Sequence, residues 1–499
     1  LRGDFDSDKN ALNLFFHSDL FSYGKIRFNN IESQASTGAH NIRFTTRCDA
    51  IALTDSIGME DIRLSADINN DSINFGLNWN NHKEPYSNSA DFAGYFTFSE
   101  NVNTFIGLHP STITFMDTTW NIYCGGDVKI DSLGVTIPGL YIISNQQQLE
   151  VKGKIANNPD AKLRLRFMNF DLSDFDDLTN SLRFDFDGIL DGYVEASNLL
   201  NSPSFISDLR IRGLGFNGSK MGDATLSSAW DDARKGIALH MDVLYVGMSE
   251  TSRPISVSGY IYPADKKNNF DLAAVVTNFQ IKSLNRYFEG VVVVNDGIAS
   301  GNLTLKGLFR DPELRGTAKA MRTFLTIPYL NTSYAFTHDE IIFEKNSITF
   351  NNLGMRDIPR GDTALCHGQV HHNRFRDWTY DIQLYPRKLQ VLNTTASMND
   401  LFYGHGYVSG FGRIKGDQQK VKIDLDITTD PNSQLFVPME YTSEVSENNF
   451  ITFINKEGQA LSKKKPRHFA GIELNCKLEI TDDAEVQIIF DPTVGDRIR

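Results

Sequence analysis

Apolar and polar residues alternate with a period of two along much of this chain. The pattern is clearest at 149–155 and returns at 162–167 and 421–427, where apolar residues alternate with charged ones. Successive side chains of a β-strand point to opposite faces of a sheet, so these segments predict strands with one apolar face. Such strands are typical of antiparallel sheets, because central strands of parallel sheets are apolar on both faces.

Helical patterns are scarce. Residues 173–182 predict a short helix capped by Ser173, and 283–288 predict its counterpart further along the chain. A helix of ten residues is about 15 Å long, so two of them leave most of the apolar strand face uncovered. Either a second sheet covers this face, as in a sandwich, or the same sheet curls into a trough.

Glycines recur at a fixed spacing. Gly297, Gly301 and Gly307 are followed by Gly406, Gly410 and Gly416, and a weaker copy precedes both at Gly188 and Gly192, with Asn198 in the third position. The offsets agree, since 297 − 188 = 109 and 406 − 297 = 109. A constant offset indicates a supersecondary unit used several times. Glycines within strands permit bulges that bend a sheet, although these could instead form hairpin turns.

Together, these patterns predict an all-β fold: an elongated, curled, repetitive antiparallel β-sheet with an open groove and a few short helices. In this reading, the glycines bend the sheet and the apolar residues of the strands line the groove. The alternative is that the same residues form an ordinary sandwich core. The groove candidates are Leu149, Val151, Leu163, Leu165, Phe167, Leu303, Leu305, Val421, Ile423, Leu425, Ile427, Ile472, Leu474, Leu478 and Ile480.

An arginine substitution distinguishes the two readings. With Leu165 or Leu425 replaced by Arg, a lined groove keeps its fold and loses transport, whereas a closed core unfolds because it would bury an unpaired charge.

We also expect three regions: uncertain N-terminal β repeats in 1–100, groove repeats in 101–300, and a C-terminal groove region in 301–499.

The composition of the chain narrows the classes of function that are compatible with it. The 499 residues are 40% hydrophobic, which is enough to build a folded protein, and the net charge of −13 argues against a nucleic-acid partner. No apolar run is long enough to span a bilayer. Because the chain begins at Leu1 without a signal peptide, we expect it to be part of a longer protein whose membrane anchor lies elsewhere.

Few residues suggest a catalytic, redox or metal-binding site. Cys48, Cys124, Cys366 and Cys476 share no metal or redox spacing, and Cys476 lies on the apolar side of a predicted strand. The 366–372 segment is rich in histidine, but His367 and His371 would lie about 13 Å apart on one strand face, too far for one metal ion.

The acidic residues of 171–177 lack the spacing of a calcium loop, and the basic run 463–467 is typical of a solvated loop. We find no catalytic motif, so the sequence predicts no enzyme, no cofactor and no metal site.

Several short motifs, in order, resemble those of the TamB family, in particular its Bacteroidetes-type members. The resemblance covers about four fifths of the chain, with 1–100 the least certain part. Its motifs are 110–111 (PS) with Trp120, 169–172 (NFDL), 307–316 (GLFRDPELRG), Gly368 with His371, 375–378 (FRDW), 392–395 (LNTT), 402–404 (FYG) and 485–492 (EVQIIFDP).

The resemblance implies a periplasmic protein that is anchored in the inner membrane and reaches the outer membrane. Members of this family, related to AsmA-like and bridge-like lipid-transfer proteins, form a curled β-sheet with a hydrophobic groove. They work with a TamA-like outer-membrane barrel protein in supplying phospholipid and in outer-membrane biogenesis. The expected ligand is therefore a phospholipid or another acyl lipid.

Two other classes of function stay open. One is a chaperone-like scaffold whose free sheet edge accepts strands of outer-membrane barrel proteins by β-augmentation. The other is an adhesin-like surface array, which the single apolar strand face disfavours.

Overall fold

The fold is given by a computed structural model. It describes residues 1–8, 11–24, 26–38, 41–52, 58–81, 88–99, 103–115, 117–158, 160–175, 185–200, 203–247, 251–288, 291–336, 339–399, 401–417, 419–438, 472–491 and 496–498.

The chain is built of β-strands. The structure is 78% strand and 3% helix, which confirms the predicted all-β, antiparallel class. The first strands are β1 (Arg2–Asp6), β2 (Ala11–Tyr23), β3 (Ile26–Thr37), β4 (Ile42–Ala52), β5 (Gly58–Ile68), β6 (Ser72–Asn81), β7 (Asn88–Ser99), β8 (Asn103–Leu108), β9 (Ser111–Phe115), β10 (Thr118–Cys124), β11 (Val128–Asp131), β12 (Gly134–Ser144), β13 (Gln147–Ala156), β14 (Lys162–Asp171), β15 (Phe186–Ser197), β16 (Ser204–Phe216), β17 (Ser219–Asp231) and β18 (Gly236–Val246).

The later strands include two that exceed fifteen residues. They are β19 (Thr251–Ile261), β20 (Phe270–Gln280), β21 (Val293–Leu308), β22 (Asp311–Ile327), β23 (Thr332–Phe336), β24 (Asp339–Glu344), β25 (Ser347–Asp357), β26 (Thr363–Asn373), β27 (Arg376–Arg387), β28 (Leu389–Thr394), β29 (Tyr403–Asp417), β30 (Val421–Thr429), β31 (Gln434–Pro438), β32 (Ile472–Glu479), β33 (Glu485–Asp491) and β34 (Asp496–Ile498).

Both predicted helices differ from the observed ones. The first is a 3₁₀ helix at Leu172–Phe175, and the rest of the predicted segment, 176–182, lies outside the described residues. The second is a 3₁₀ helix at Ile281–Tyr287, in which Ser283 is buried and donates its hydroxyl to the Gln280 carbonyl instead of capping the first turn. No helix in the described ranges is long and apolar enough to span a membrane.

The chain divides into two compact units. Unit 1 comprises Leu1–Ser249 and Ser258–Tyr262, and unit 2 comprises Glu250–Val257 and Pro263–Arg499. The predicted three-region division at 100 and 300 stays a prediction.

Unit 1 is largely a meander of antiparallel strands. Strands β1 to β7 pair with their neighbours in sequence, so residues 1–100, whose pattern is least clear, also form regular strands. Strands β12 to β18 continue in the same way. The largest fully buried side chains of unit 1 include Met221 and Val243.

In unit 2, long strands pair along each edge with two shorter strands in succession. The first part of β22 pairs with β24 and its last part with β23. Likewise β29 pairs with β27 and β28 along one edge and with β30 and β31 along the other. Strands β32 and β33 then pair in parallel with β30 and β31, an arrangement that the sequence pattern did not predict.

The 109-residue repeat has a structural counterpart at a bend in three strand pairs. Asn169, Asn278 and Lys388 each adopt positive φ, and each donates its backbone N–H to a side chain that stands directly before a repeat glycine. The acceptors, 109 residues apart, are Asp191 at 2.8 Å, Ser300 at 2.9 Å and Ser409 at 2.9 Å. A 3₁₀ helix follows the bend in the first two copies, and β28 takes its place in the third.

The repeat glycines occupy three kinds of place. Gly188 and Gly297 each lie opposite a two-residue bulge, in β16 and β22 respectively, and both have φ values that favour glycine. Gly307 and Gly416, and Asn198 in the first copy, end strands beside short turns, as in the hairpin interpretation. Of the remaining four, Gly192, Gly301 and Gly406 each lie beside a bulge of the neighbouring strand, and Gly410 follows within the same strand as Gly406.

Replacing Gly410 by Ala should destabilise unit 2 by about 1–3 kcal/mol. Gly410 has φ +138°, and an added Cβ would clash with the Asp426 carbonyl oxygen of the neighbouring strand. Gly412→Ala on the same strand is the control, because its φ is ordinary and its nearest neighbour is the flexible Leu425 side chain at 3.1 Å. Urea unfolding of both variants measures the difference, and equal stabilities would contradict the strain argument.

Candidate functional site: the apolar strips

Five predicted groove residues lie side by side in unit 1. On β13 and β14, Leu149 pairs with Phe167 and Val151 with Leu165, while Leu163 faces Gly153. Since cross-strand partners point to the same face, these side chains form one apolar patch. On the opposite face, Lys162 and Arg164 bind Glu195 at 2.7 and 2.6 Å.

Two more predicted residues lie on β21 in unit 2. Leu303 pairs with Ala274 and Gly316, and Leu305 pairs with Leu272 and Leu314. The strand register carries this apolar face onwards through β24 to β27 and to β29.

The C-terminal candidates continue the same face. On β30, Ile423, Leu425 and Ile427 pair in parallel with Leu474, Cys476 and Leu478, and Val421 pairs with Ile472 through the backbone. Ile480 lies just beyond the end of β32 and is 51% exposed, so the structure places it outside the strand.

Sequence patterns missed many residues of this face. We define the apolar strip of unit 2 by its cross-strand register. Some of the missed members lie on strands where glycines or short length interrupt the alternation, such as Phe343 on β24 and Val370 on β26. The strip consists of Phe270, Leu272, Ala274, Val276, Gly301, Leu303, Leu305, Leu314, Gly316, Ala318, Ile341, Phe343, Ile348, Phe350, Gly368, Val370, Tyr380, Ile382, Gly412, Ile414, Gly416, Val421, Ile423, Leu425, Ile427, Leu474, Cys476 and Leu478.

Partial exposure distinguishes these side chains from a closed core. Every groove candidate whose side chain is described is half-buried or exposed, and Leu474 is 54% exposed. A sandwich core would bury most such side chains almost completely. Within the described residues, the strands of each unit contact mainly their hydrogen-bonded neighbours.

Two strands of unit 2 that are not hydrogen-bonded neighbours meet at a place that we call the seam. Strands β25 and β26 stop at Asp357 and Thr363, and beyond them β23 meets β28 directly. The Asn393 N–H donates to the Leu330 carbonyl at 3.0 Å, and the Tyr334 hydroxyl donates to the Gln390 carbonyl at 2.8 Å.

Behind the seam lies a closed core. Leu389 is 0% exposed and packs with Tyr334, Met355 and Ala364. Burial raises the pKa of the Tyr334 hydroxyl to about 12, so it remains a hydrogen-bond donor at neutral pH. The carboxylate of Asp357, also buried, accepts the Gln390 N–H at 3.0 Å and ties the turn after β25 to β28.

No member of the unit 2 strip is charged, and several ion pairs lie on the outer face. On the outer face, the Arg413 guanidinium donates two hydrogen bonds, one to each carboxylate oxygen of Asp381, at 2.8 and 2.6 Å. Hydrogen bonds from Arg413 hold the pKa of the Asp381 carboxyl below its ordinary value. The same effect lowers the pKa of Glu195, chiefly through Lys162, and that of Glu313, chiefly through Lys345.

These ion pairs predict a loss of stability in acid. A carboxyl whose folded-state pKa is depressed stabilises the fold above its unfolded-state pKa, and this contribution is lost as the pH falls through the folded-state value. For Asp381, the loss should begin near the ordinary value of 3.8 and continue below it. Melting temperatures of the wild type and of Asp381→Asn should differ at neutral pH and converge in acid. A constant difference would contradict the prediction.

The histidine and cysteine side chains of unit 2 lie in different surroundings. His367 and His371 stand on one face of β26, as their spacing predicts, and the described residues contain no group of three or more ligand-type side chains. Burial raises the pKa of the Cys366 thiol to about 12, whereas Cys476 is exposed. The basic run 463–467 lies outside the described residues.

Fold and strips together define a class: repetitive antiparallel β-proteins that keep an uncharged face partly open to solvent. Residues 351–496 match the TamB C-terminal domain. This C-terminal part of the chain is therefore similar to the TamB family. Comparisons with curated proteins and with solved structures find no match.

Proposed function

We propose that this protein conducts phospholipid between the inner and outer membranes along its apolar strips. The observation that supports this most directly is a face of apolar side chains, continuous in strand register across unit 2, uncharged and left half-exposed. Each methylene of an acyl chain that enters water costs about 0.8 kcal/mol, which makes unassisted passage slow. A continuous apolar face lowers that barrier by keeping the chain out of water.

The family's general role gives the setting of the proposal. In this proposal the protein acts in the periplasm, is held to the inner membrane by an anchor, and meets a TamA-like barrel protein at the outer membrane. It guides lipid along its apolar strips and does not act as an enzyme, and it needs no metal or cofactor.

A native cysteine permits a direct test. Cys476 is exposed and lies on the strip beside Leu425. Bound phospholipid should therefore slow the labelling of Cys476 by a water-soluble maleimide several-fold. Cys366 is the internal control, because burial keeps its thiol protonated and inaccessible with or without lipid. Mass spectrometry of the labelled peptides, together with lipid analysis of gently purified protein, gives the readout. Equal labelling of Cys476 in the presence and absence of lipid, with no lipid co-purified, would refute the proposal.

A second candidate function rests on the edge of β32. One edge of this strand pairs with β30, and the other has no strand partner among the described residues. An eight-residue free edge can accept a strand from another protein by β-augmentation, which is the chaperone-like scaffold for barrel proteins. Crosslinks from β32 to barrel precursors, without bound lipid, would favour this function over the conduit.

A further inference from the structure

The strand ends of unit 2 form one continuous edge of hairpin turns beside the apolar strip. We call it the hairpin edge and define it by the turns at 263–269, 309–310, 345–346, 374–376 and 417–420. Adjacent turns are joined directly. The Asn269 side chain accepts the Phe309 N–H at 3.0 Å, and Asp311 binds Lys345 at 3.1 Å and Arg374 at 3.5 Å. The first four turns are therefore held together in one row.

This edge carries free positive charge on an otherwise acidic protein. Lys266, Lys267, Arg310 and Arg376 are all exposed, and within the described residues none of them has a carboxylate within ion-pairing distance. The acidic residues between them are already engaged. Asp265 accepts the Lys267 N–H at 2.7 Å, and Asp311 is bound as above.

Two of the turns on the opposite side of unit 2 differ. Those at 328–331 and 395–402 follow β22 and β28, and their described residues include no lysine or arginine. Instead they expose apolar side chains: Met398 and Leu401 are each 62% exposed. The turns at 281–288 and 358–362 on the same side do carry cations, namely Lys282, Arg286 and Arg360, and Arg360 lies over the Tyr407 ring at 3.4 Å. Among the described residues, exposed cations without an ion-pair partner are therefore more numerous on the hairpin edge than on the opposite side.

The dimensions of the strip suit an acyl chain. On β30 it runs from Val421 to Ile427, which is six steps or about 20 Å at 3.3 Å per residue. Half the hydrocarbon thickness of a bilayer, the depth that one acyl chain occupies, is about 15 Å. An acyl chain lying on the strip can therefore place its polar end at the hairpin edge.

We propose that the hairpin edge binds the phosphate group of lipids whose acyl chains lie on the strip of unit 2. This inference rests on the proposed function and adds to it a recognised headgroup chemistry and a fixed orientation of the lipid. Lysine and arginine are the side chains that bind phosphate oxygens best, and four of them without carboxylate partners give a favourable site for an anionic headgroup.

The test compares two fluorescent lipids that differ only in the phosphate: a phosphatidic acid and the diacylglycerol with the same acyl chains. The 499-residue chain should bind the phosphatidic acid about tenfold more tightly, and raising the ionic strength should reduce this preference. A quadruple charge reversal should abolish the preference and leave diacylglycerol binding unchanged: Lys266→Glu, Lys267→Glu, Arg310→Glu and Arg376→Glu.

The matched control reverses four exposed cations that lie on the strands and not on the hairpin edge. It should keep the preference for phosphatidic acid, which separates a site at the edge from an effect of net charge. The control substitutions are Lys319→Glu, Arg356→Glu, Arg387→Glu and Lys477→Glu.

The other outcomes separate the two proposals. If neither lipid binds, the conduit itself is wrong. If both lipids bind equally and the charge reversals change nothing, the strip binds acyl chains and the hairpin-edge inference is overturned. Inorganic phosphate that binds the wild type as tightly as phosphatidic acid does would show a free-phosphate site, and this also overturns the inference.

Discussion

Replacing Val276 by Arg should reduce phospholipid transfer at least tenfold while the protein stays folded. Val276 lies on the strip beside Gly301 and is half-buried, so an arginine there can reach water and the fold tolerates it. An acyl chain that passes this point would lose contact with the apolar face and meet a guanidinium instead, which is unfavourable. Transfer of a fluorescent phospholipid between two vesicle populations measures the loss, and thermal melting checks the fold.

The neighbouring residue supplies the control. Val275 is on the same strand, points to the opposite face and is 49% exposed, so Val275→Arg introduces the same charge one residue away without touching the strip. Its transfer rate should equal that of the wild type. If Val276→Arg unfolds the protein and Val275→Arg does not, the strip is a closed core at this position. If both variants transfer lipid normally, the strip is not the path.

Replacing Leu389 by Ala should destabilise unit 2 by about 2–5 kcal/mol, the cost of a cavity in a closed core. Leu389 is fully buried behind the seam, where Tyr334, Met355 and Ala364 surround it. Because an intact fold is needed for transport, lipid transfer should fall only as the unfolded fraction rises. Denaturant unfolding gives the free energy of unfolding.

Leu365 on β26 offers the same substitution at the surface. It is 44% exposed, and Leu365→Ala should change the free energy of unfolding by about 0.5 kcal/mol or less. Equal effects of the two alanine substitutions would mean that the seam encloses no packed core. Together with the two valine variants, this comparison separates the closed part of unit 2 from the part left open.

Part of the fold follows from local pattern alone. Alternation at 149–155 and 421–427 predicts β13 and β30, and it assigns the correct residues to the apolar face because the side-chain period of a strand is two. The glycine spacing predicts a repeat, which the structure displays as three equivalent bends at Asn169, Asn278 and Lys388.

Other features lay beyond local pattern. The expected helix at 173–182 begins as a 3₁₀ helix, in which Phe175 stacks on Phe170 at 5.0 Å, a tertiary contact that helix propensity does not encode. Phe343 and Val370 belong to the strip because cross-strand register places them there, while glycines and short strands hide their alternation. The parallel pairing of β32 with β30 joins residues 51 positions apart, and no turn signal specifies it.

The sequence by itself determined the strand content, the repeat and the side of each strand that is apolar, because these depend on spacing within a few residues. Whether that apolar side is sealed was decided only by the tertiary structure. Leu389 and Leu425 are both leucines on strands of unit 2, yet one is fully buried and the other half-exposed. The difference arises at the seam, where β25 and β26 stop short and β23 meets β28. Exposure depends on where distant strands end, and this information is not present in the local pattern.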